Sequence, residues 1–538
     1  MDHSLVGEVQ AWIADDPDPS TASQLQQWLD TNNEAELRTS FNGFLQFGTA
    51  GLRGPIRPGP SGMNRAVVGR TAAGIVAYMK ERNLTSVVIG RDARYGSEDY
   101  TFETAEIMSG AGMKVFVLPR PLPTPVLAFA TNELGCDVGI MVTASHNPPQ
   151  DNGYKVYLGG TVYGIEYRGS QIVSPTDVSI ARKIDAITSL KELPRGKVWT
   201  VLGEEIIEKY IERTASLATT PGTLKIVYTA MHGVGTETLQ RVFQKAGYPS
   251  PILVAAQAAP DPDFPTVAFP NPEEPGAIDL ALETAKTFDA DLVIANDPDA
   301  DRCAAAVKDP VTGWRMLRGD ELGAILGESI ARKSSDGVFA NSIVSSSILK
   351  KIAGHYNLEF KETLTGFKWL AKVKGLTFGY EEALGYAVDA KTVNDKDGIS
   401  AAITVAQIAT DLATDGKTLL DLLDEIWARH GFHATEQISI RLSDLSKVDV
   451  ILGRLRNNPP QNIAGRVVTS IDDLATPTDG LPPTDGLRIW LDGGVRIIIR
   501  PSGTEAKMKC YIEVIEKDSK TAQVVLDQLR PPLKELLS

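Results

Sequence analysis

From about residue 67 onward, short β-branched apolar runs alternate with stretches of helical periodicity: SVVIGRD, KVFVLP and DVGIMVTASHN, then KIVYTAMHGVG, PILVAA and DLVIANDPDADR. That alternation predicts α/β domains with largely parallel sheets. Ahead of it, residues 1–45 carry apolar positions at helical spacing, with Trp12, Leu25, Trp28 and Leu29 as candidate anchors. They lead into a Gly/Arg/Pro-rich loop, FGTAGLRGPIRPGPSG. Residues 316–430 again mix short apolar runs with helices, including ISAAITVAQIATDLATDG, and predict a third α/β unit. After about residue 435 the period changes to alternating strands (EQISIRL, GLRIWLDGGVRIIIRPSG, KMKCYIEVIE) and one terminal helix, TAQVVLDQLRPPLKELL. This predicts an α+β domain with an antiparallel sheet. The segment DDLATPTDGLPPTDG reads as a surface loop within it.

Two segments resemble each other: VGIMVTASHNPP and LKIVYTAMHGVG both read as an apolar strand, then Thr-Ala-x-His, then a turn. A duplicated domain is the economical explanation. One copy has Ser145 where the other has Met231, so only the first offers a hydroxyl there and the second is expected to be scaffold.

Length and charge narrow the picture. At 538 residues, with 43% hydrophobic and 23% charged positions, the chain is an ordinary globular sequence of three to four domains. Acidic residues outnumber basic ones, 68 to 54, for a formal charge of −14. Such a surface repels nucleic acid and anionic lipid, so neither is an expected partner and a phosphate site must be a local basic concentration. Cys136, Cys303 and Cys510 are odd in number and far apart, which disfavours a disulfide framework or a cysteine zinc site. With no secretory leader pattern and no apolar run of the ~18 residues that span a bilayer, the expected compartment is the reducing cytoplasm.

Several segments are candidates for chemistry. TASHNPPQDNGYKVY puts Ser145 after a buried strand and before two prolines, where a side chain is presented at the carboxyl end of a sheet. His146 and Lys155 follow and could handle a proton or a phosphate oxygen, although a helix-capping serine ahead of a loop fits equally. In DLVIANDPDADR, an apolar strand runs into Asp297, Asp299 and Asp301 at alternate positions, which point one way if the backbone stays extended. Three convergent carboxylates call for a hard cation, and oxygen ligands favour magnesium over zinc; a solvated acidic loop is the alternative. RPSGTEAKMK gathers Arg500, Ser502, Gly503, Thr504, Lys507 and Lys509 in a turn between strands, suited to a phosphate dianion or simply a polar hairpin. FGTAGLRG supplies Arg53 in a flexible glycine-rich loop, and the HGVG segment after Met231 reads as a turn. In GYEEALGY, Glu381 and Glu382 could grip sugar hydroxyls or form an acidic turn. Lys368 and Asp397 are ambiguous singly.

In this order, FGTAGLRG, TASHNPPQDNGYKVY, DPDADR, YEEALG and RPSGTEAKMK resemble the signature set of the α-D-phosphohexomutase family, the phosphoglucomutases and phosphomannomutases. The resemblance runs from about residue 41 to the C-terminus. It implies a heart-shaped chain of four domains around one cleft: residues 1–205 with the phosphoserine loop, 206–315 with the metal loop, 316–432 with the sugar loop, and 433–538 with the phosphate loop. It implies Ser145 as phosphoserine carrier, with Asp297, Asp299, Asp301 and the seryl phosphate holding Mg2+. Arg302 lies beside them; Lys155, Arg53 and His146 are the phosphoryl-transfer and acid–base neighbours. Glu381 and Lys368 become sugar contacts, and Arg500, Ser502, Gly503 and Thr504 hold the phosphate not being transferred. The implied reaction interconverts glucose 1- and 6-phosphate, primed by glucose 1,6-bisphosphate, in a monomer or homodimer. Tyr380 and Ala383 depart from the Gly-Glu-x-Ser loop of hexose-specific members and resemble the phosphoglucomutase/phosphopentomutase branch, so a pentose or mannose phosphate is the alternative substrate. An aspartyl-phosphate phosphatase and a non-catalytic sugar-phosphate sensor are the rival classes.

Overall fold

The computed structural model describes residues 2–49, 51–442, 444, 446–502 and 507–537. They divide into two compact units, residues 1–317 with 383–414, and residues 318–382 with 415–538.

The first unit opens with three helices, His3–Asp15, Pro19–Asp30 and Glu34–Ser40, capped by the side chains of Asp2, Asp18 and Asn33. Their apolar faces close on a small core of Leu5, Val9, Leu25 and Leu37, with Trp12, Trp28 and Leu29 packed at its margin. The anchors expected from spacing are therefore used, Leu25 at the centre and the tryptophans at the edge.

Two α/β sheets follow. The first runs in the order Leu52–Pro55, Asp151–Leu158, Val138–Val142, Ser86–Arg91, Lys114–Val117, Thr200–Val201, with Ser170–Gln171 beside Asp151–Leu158. Its centre is parallel, as expected from crossover helices, but Asp151–Leu158 and Leu52–Pro55 join it antiparallel. The second sheet, Ile252–Leu253, Ile226–Thr229, Leu292–Asn296, Cys303–Asp309, Gly313–Met316, repeats the plan of a parallel centre with an antiparallel flank. In each, the antiparallel strand leaves the end of a central strand through a short turn, too short for a parallel crossover. Those turns are the Ser145 loop and the DPDAD loop.

In the second unit, Val338–Ser342 lies parallel to both Glu359–Thr363 and Leu376–Glu381. The rest is a six-stranded antiparallel sheet ordered Phe432–Arg441, Lys507–Glu516, Val495–Pro501, Leu487–Leu491, Arg466–Asp473, Asn462–Ile463. Its apolar face packs under the helices Ser446–Asn457 and Ser519–Leu536. Three α/β domains and a fourth antiparallel one are thus the architecture. The helix Gly398–Thr414, expected with the third domain from its sequence position, packs with the first unit.

Candidate active site

The first sheet presents Ser145 through an unusual backbone. Directly after Val138–Val142, Ser145 adopts φ +51°, and its N–H donates to Thr143 Oγ1 at 2.9 Å. The second sheet repeats this arrangement: Met231 has φ +49° and its N–H donates to Thr229 Oγ1 at 3.0 Å. A left-handed turn closed by the preceding threonine lifts the side chain out of the strand line. Only the first copy has a hydroxyl to present. His232 in the second copy donates or accepts at Thr266 Oγ1 and is buried, and a Cβ on Gly233 would lie 2.2 Å from the Pro298 backbone. The HGVG turn therefore supports the neighbouring acidic loop, in keeping with its reading as a turn.

The acidic loop converges in another way than expected. Leu292–Asn296 ends before Asp297, and residues 297–300 form a turn in which Ala300 has φ +52°. The extended period-two geometry is thus corrected. The three carboxylates meet because the chain curls around them, and one oxygen from each lies within 4.8 Å of the others. All three are fully buried, or nearly so.

Ser145 Oγ donates to Asp297 Oδ2 at 2.8 Å and lies 3.2 Å from His146 Nδ1. Lys155, on the adjacent antiparallel strand, donates to Asp299 Oδ2 at 2.6 Å and Asp301 Oδ2 at 2.8 Å. Arg53 donates to Asn147 Oδ1 at 3.1 Å, and Gly51 lets its loop press so close to that strand that a Cβ would stand 1.8 Å from the Tyr154 carbonyl oxygen. The Arg302 N–H donates to Asp297 Oδ1, and its guanidinium donates to the Ala383 carbonyl at 2.6 Å. The first unit therefore brings together Arg53, Ser145, His146, Lys155, Asp297, Asp299, Asp301 and Arg302.

The electrostatics follow. Burial, and then Asp299 and Asp301, push the Asp297 carboxyl well up. Burial works the same way on Asp301, but Lys155 and Lys396 outweigh it and hold that carboxyl down. Burial would lower Lys155, and the paired carboxylates raise it instead. Burial, with Arg302 and Arg53 nearby, keeps His146 well below the usual histidine value and so neutral. Asp299 Oδ1 and Asp301 Oδ1 are buried without a hydrogen-bond partner among the described residues, which is costly unless a cation meets them. Two orphaned carboxylate oxygens beside a third carboxylate and a hydroxyl form an oxygen-only donor set that fits a hard divalent ion.

Three contributors escaped sequence reading. Arg94, 5% exposed, donates to the carbonyls of Ser145, Asn147, Pro148 and Asp151, and so pins the whole Ser145 loop. Thr124 Oγ1 donates to Asp299 Oδ2 at 2.5 Å. Lys396 Nζ lies 3.3 Å from Asp301 Oδ2. The charged run NDKD before a long apolar helix was the only signal for Lys396. Asp397 accepts from the N–H groups of Ile399 and Ser400 and from Tyr210, which makes it a helix cap.

The second unit holds the remaining candidates. Glu381 ends the strand Leu376–Glu381 and is buried, so GYEEALGY is not an exposed acidic turn. Glu382 accepts from Ser342 Oγ at 3.0 Å and Ser345 Oγ at 2.9 Å, which commits its carboxylate to the protein. Tyr380 is a core residue: its hydroxyl donates to Asp320, and Gly323 leaves the room its ring needs. Arg500 lies near the end of Val495–Pro501, and Ser502 N–H donates to the Lys507 carbonyl. Burial raises the Tyr511 hydroxyl, as do Glu382 and Glu381, while Arg500 lowers it. Lys368 lies in the short helix Phe367–Leu370. Gly503 and Thr504 lie outside the described residues.

Family profiles match the chain in four consecutive stretches. Phosphoglucomutase/phosphomannomutase alpha/beta/alpha domains I, II and III match residues 45–188, 208–313 and 318–430, and the C-terminal domain matches 438–529. The chain is 48% identical over 483 residues to a Haemophilus influenzae protein named probable phosphomannomutase, covering 88% of this chain and 98% of that one. It is 33% identical to human phosphopentomutase over 598 aligned positions, covering 100% of this chain and 95% of the other. A Staphylococcus aureus phosphoglucomutase is 30% identical over 527, covering 91% and 93%. Among solved structures, the open form of the Paramecium phosphoglucomutase parafusin superposes with TM-score 0.70 at 19% identity, covering 91% of this chain and 95% of that one, which establishes a shared fold.

Proposed function

Because the chain belongs to the phosphoglucomutase/phosphomannomutase family, we propose that it interconverts glucose 1-phosphate and glucose 6-phosphate through a phosphoserine enzyme and a sugar bisphosphate. The observation that carries this reading is Ser145 Oγ, set in a left-handed turn 2.8 Å from Asp297 and beside His146. A phosphoryl group there bears about −1.5 to −2 charges at neutral pH. Lys155, Arg53 and Arg302 are the cations available to it.

Asp297, Asp299, Asp301 and the seryl phosphate would hold Mg2+, which supplies charge neutralisation and polarises the phosphorus. The protein's own groups do the rest. His146 is placed to accept the proton of the attacking sugar hydroxyl, and Arg53 and Lys155 steady the transferring oxygens. Arg500 and Ser502, with Gly503 and Thr504, receive the distal phosphate, while Glu381 and Lys368 orient the sugar. After one transfer the bisphosphate turns end for end, so the same phosphate loop must accept either phosphate. Glucose 1,6-bisphosphate is the expected primer.

A pentose 1-phosphate or mannose 1-phosphate is the second reading. The relatives named phosphopentomutase and phosphomannomutase favour it, as does Ala383, which offers no hydroxyl to the sugar. An aspartyl-phosphate phosphatase is less supported, since all three aspartates are engaged with Ser145, Lys155, Thr124 or Lys396. Three free, buried cysteines support a reducing, cytoplasmic setting, and the acidic net charge argues against nucleic-acid or membrane partners. No helix among the described residues is long and apolar enough to cross a membrane. We propose a monomer or homodimer.

The deciding experiment compares kcat/KM for glucose, mannose, N-acetylglucosamine and ribose 1-phosphates at one primer concentration with Mg2+. Glucose 1-phosphate should lead. Turnover of none of them, or release of inorganic phosphate in place of isomer, removes the proposal.

A further inference from the structure

A second cavity lies in the first unit, away from the Ser145–aspartate cluster. It has a volume of about 580 Å3, within the range of small-molecule sites, and lies open to solvent between the second and third N-terminal helices on one side and the first α/β domain on the other. Trp28, half-buried, supplies ring surface, while Tyr100 is buried in the wall with its hydroxyl on the Met63 carbonyl. Asp18, Glu36 and Asp99 supply carboxylates, and Gln24 and Asn33 supply amides. A flat indole face beside planar hydrogen-bonding groups suits a pyranose, whose C–H face stacks and whose hydroxyls bond to carboxylates and amides.

The charge balance selects among sugars. Three carboxylates face two guanidiniums, and Arg65 already donates from Nε and Nη2 to Oε2 of buried Glu103, at 3.2 and 2.8 Å. Arg57 stands 3.8 Å from Glu36, with its Nε buried and without a hydrogen-bond partner. Three carboxylates against the one uncommitted guanidinium of Arg57 leave the cavity net acidic, so an uncharged sugar fits better than a sugar phosphate.

Two walls of the cavity continue directly into the Ser145 loop. Ile56, on one wall, donates its N–H to the Gln150 carbonyl at 2.8 Å and follows the strand that carries Arg53. Gly96, on the other, sits between Tyr95 and Ser97, which both accept from Asn152 Nδ2, and two residues beyond Arg94, which binds four carbonyls of that loop. A ligand that draws these walls together therefore acts on the segment bearing the nucleophile.

We propose that this cavity binds an uncharged mono- or disaccharide, and that occupancy steadies the 145–152 loop. The inference goes beyond the mutase reading, and its test needs no turnover. Glucose, maltose and trehalose are titrated against the full-length protein, with tryptophan fluorescence and amide hydrogen exchange as readouts. At least one sugar should give a saturable fluorescence change that disappears in Trp28→Phe, together with slower exchange across 145–152. Asp99→Asn, a mild change at an exposed first-turn position, should weaken that binding about tenfold while leaving the unfolding midpoint near wild type. The proposal is overturned if none of the three sugars gives a saturable response, or if Asp99→Asn binds as wild type does. It is equally overturned if only glucose 6-phosphate or inorganic phosphate responds at this cavity, or if binding leaves exchange across 145–152 unchanged.

Discussion

Ser145 is useful because of its backbone as much as its hydroxyl, since the matching Met231 adopts the same turn with nothing to donate. Ser145→Ala keeps that turn and opens no cavity, so it should leave the unfolding midpoint near wild type and abolish nearly all turnover. Phosphopeptide mapping then checks that wild type is modified at this position and the variant is not. Lys155 raises a different issue, because it separates two buried carboxylates. Removing one partner of a buried ion pair typically costs about 3–5 kcal/mol. Lys155→Met should therefore destabilise the first unit by about that amount in chelator, with added Mg2+ recovering part of it in a thermal melt. Ala383 bears on the proposed choice of sugar: a serine there would offer one neutral hydrogen bond, worth about 0.5–1.5 kcal/mol. The expected result of Ala383→Ser is a rise of up to about tenfold in the ratio of hexose to pentose kcat/KM, read at one primer concentration. An unchanged or lower ratio would show that this position does not set sugar choice.

At the scale of the element, the Ser145 loop is held from behind by one side chain. Arg94 contributes hydrogen bonds to four carbonyls spread from Ser145 to Asp151, a fan that a planar guanidinium makes and an ammonium does not. Arg94→Lys should keep the charge opposite Asp92 but release part of the loop. Each charged hydrogen bond lost is worth about 1.5–3 kcal/mol. If the loss falls on the transition state, kcat drops about 10- to 100-fold. A stopped-flow measurement of Ser145 phosphorylation by glucose 1,6-bisphosphate should slow in parallel, while the unfolding midpoint moves little. A fall in midpoint without a fall in phosphorylation rate would make Arg94 a stability residue alone.

At the scale of the molecule, the two units carry buried acids whose pH dependence has opposite sign. In the second unit, burial opposes the Glu513 carboxylate, but Arg496 and His433 beside it bring it from 4.5 down to about 2. The unfolded chain thus takes up a proton at a pH where the folded one does not. The resulting stability is complete above about pH 4.5 and is lost as pH falls toward 2, on the order of 3 kcal/mol in all. In the first unit, burial raises Asp397 from 3.8 to about 6, against the bonds it accepts from Ser400 and Tyr210. Here the folded state keeps the proton longer, so stability declines as pH rises from about 4 to 6 and is level above that. Glu513→Gln should flatten the acid limb of a denaturation series, and Asp397→Asn should flatten the segment between about pH 4 and 6 without moving the acid limb.

Sequence alone determined the order of domains, because helix and strand periodicities are local and the switch to an antiparallel C-terminal sheet is written in closely spaced alternating strands. It also determined which residue types could do chemistry, since Ser145, the three aspartates, Lys155 and Arg53 lie in motifs of unusual composition. Tertiary structure decided how they meet. The aspartates converge through a turn and not through an extended strand, and Lys155 reaches them from a strand of the other sheet, more than 140 positions away in the chain. Arg94 and Thr124 were illegible because nothing in their immediate neighbours marks a partner that is distant in sequence, and the charged run NDKD around Lys396 does not say which charge it meets. Tyr380 marks a motif position in the sequence, and only the fold shows that its hydroxyl turns into the core toward Asp320. Local pattern sets the elements, whereas a buried charge declares its role only when folding removes water and brings up its counter-charge.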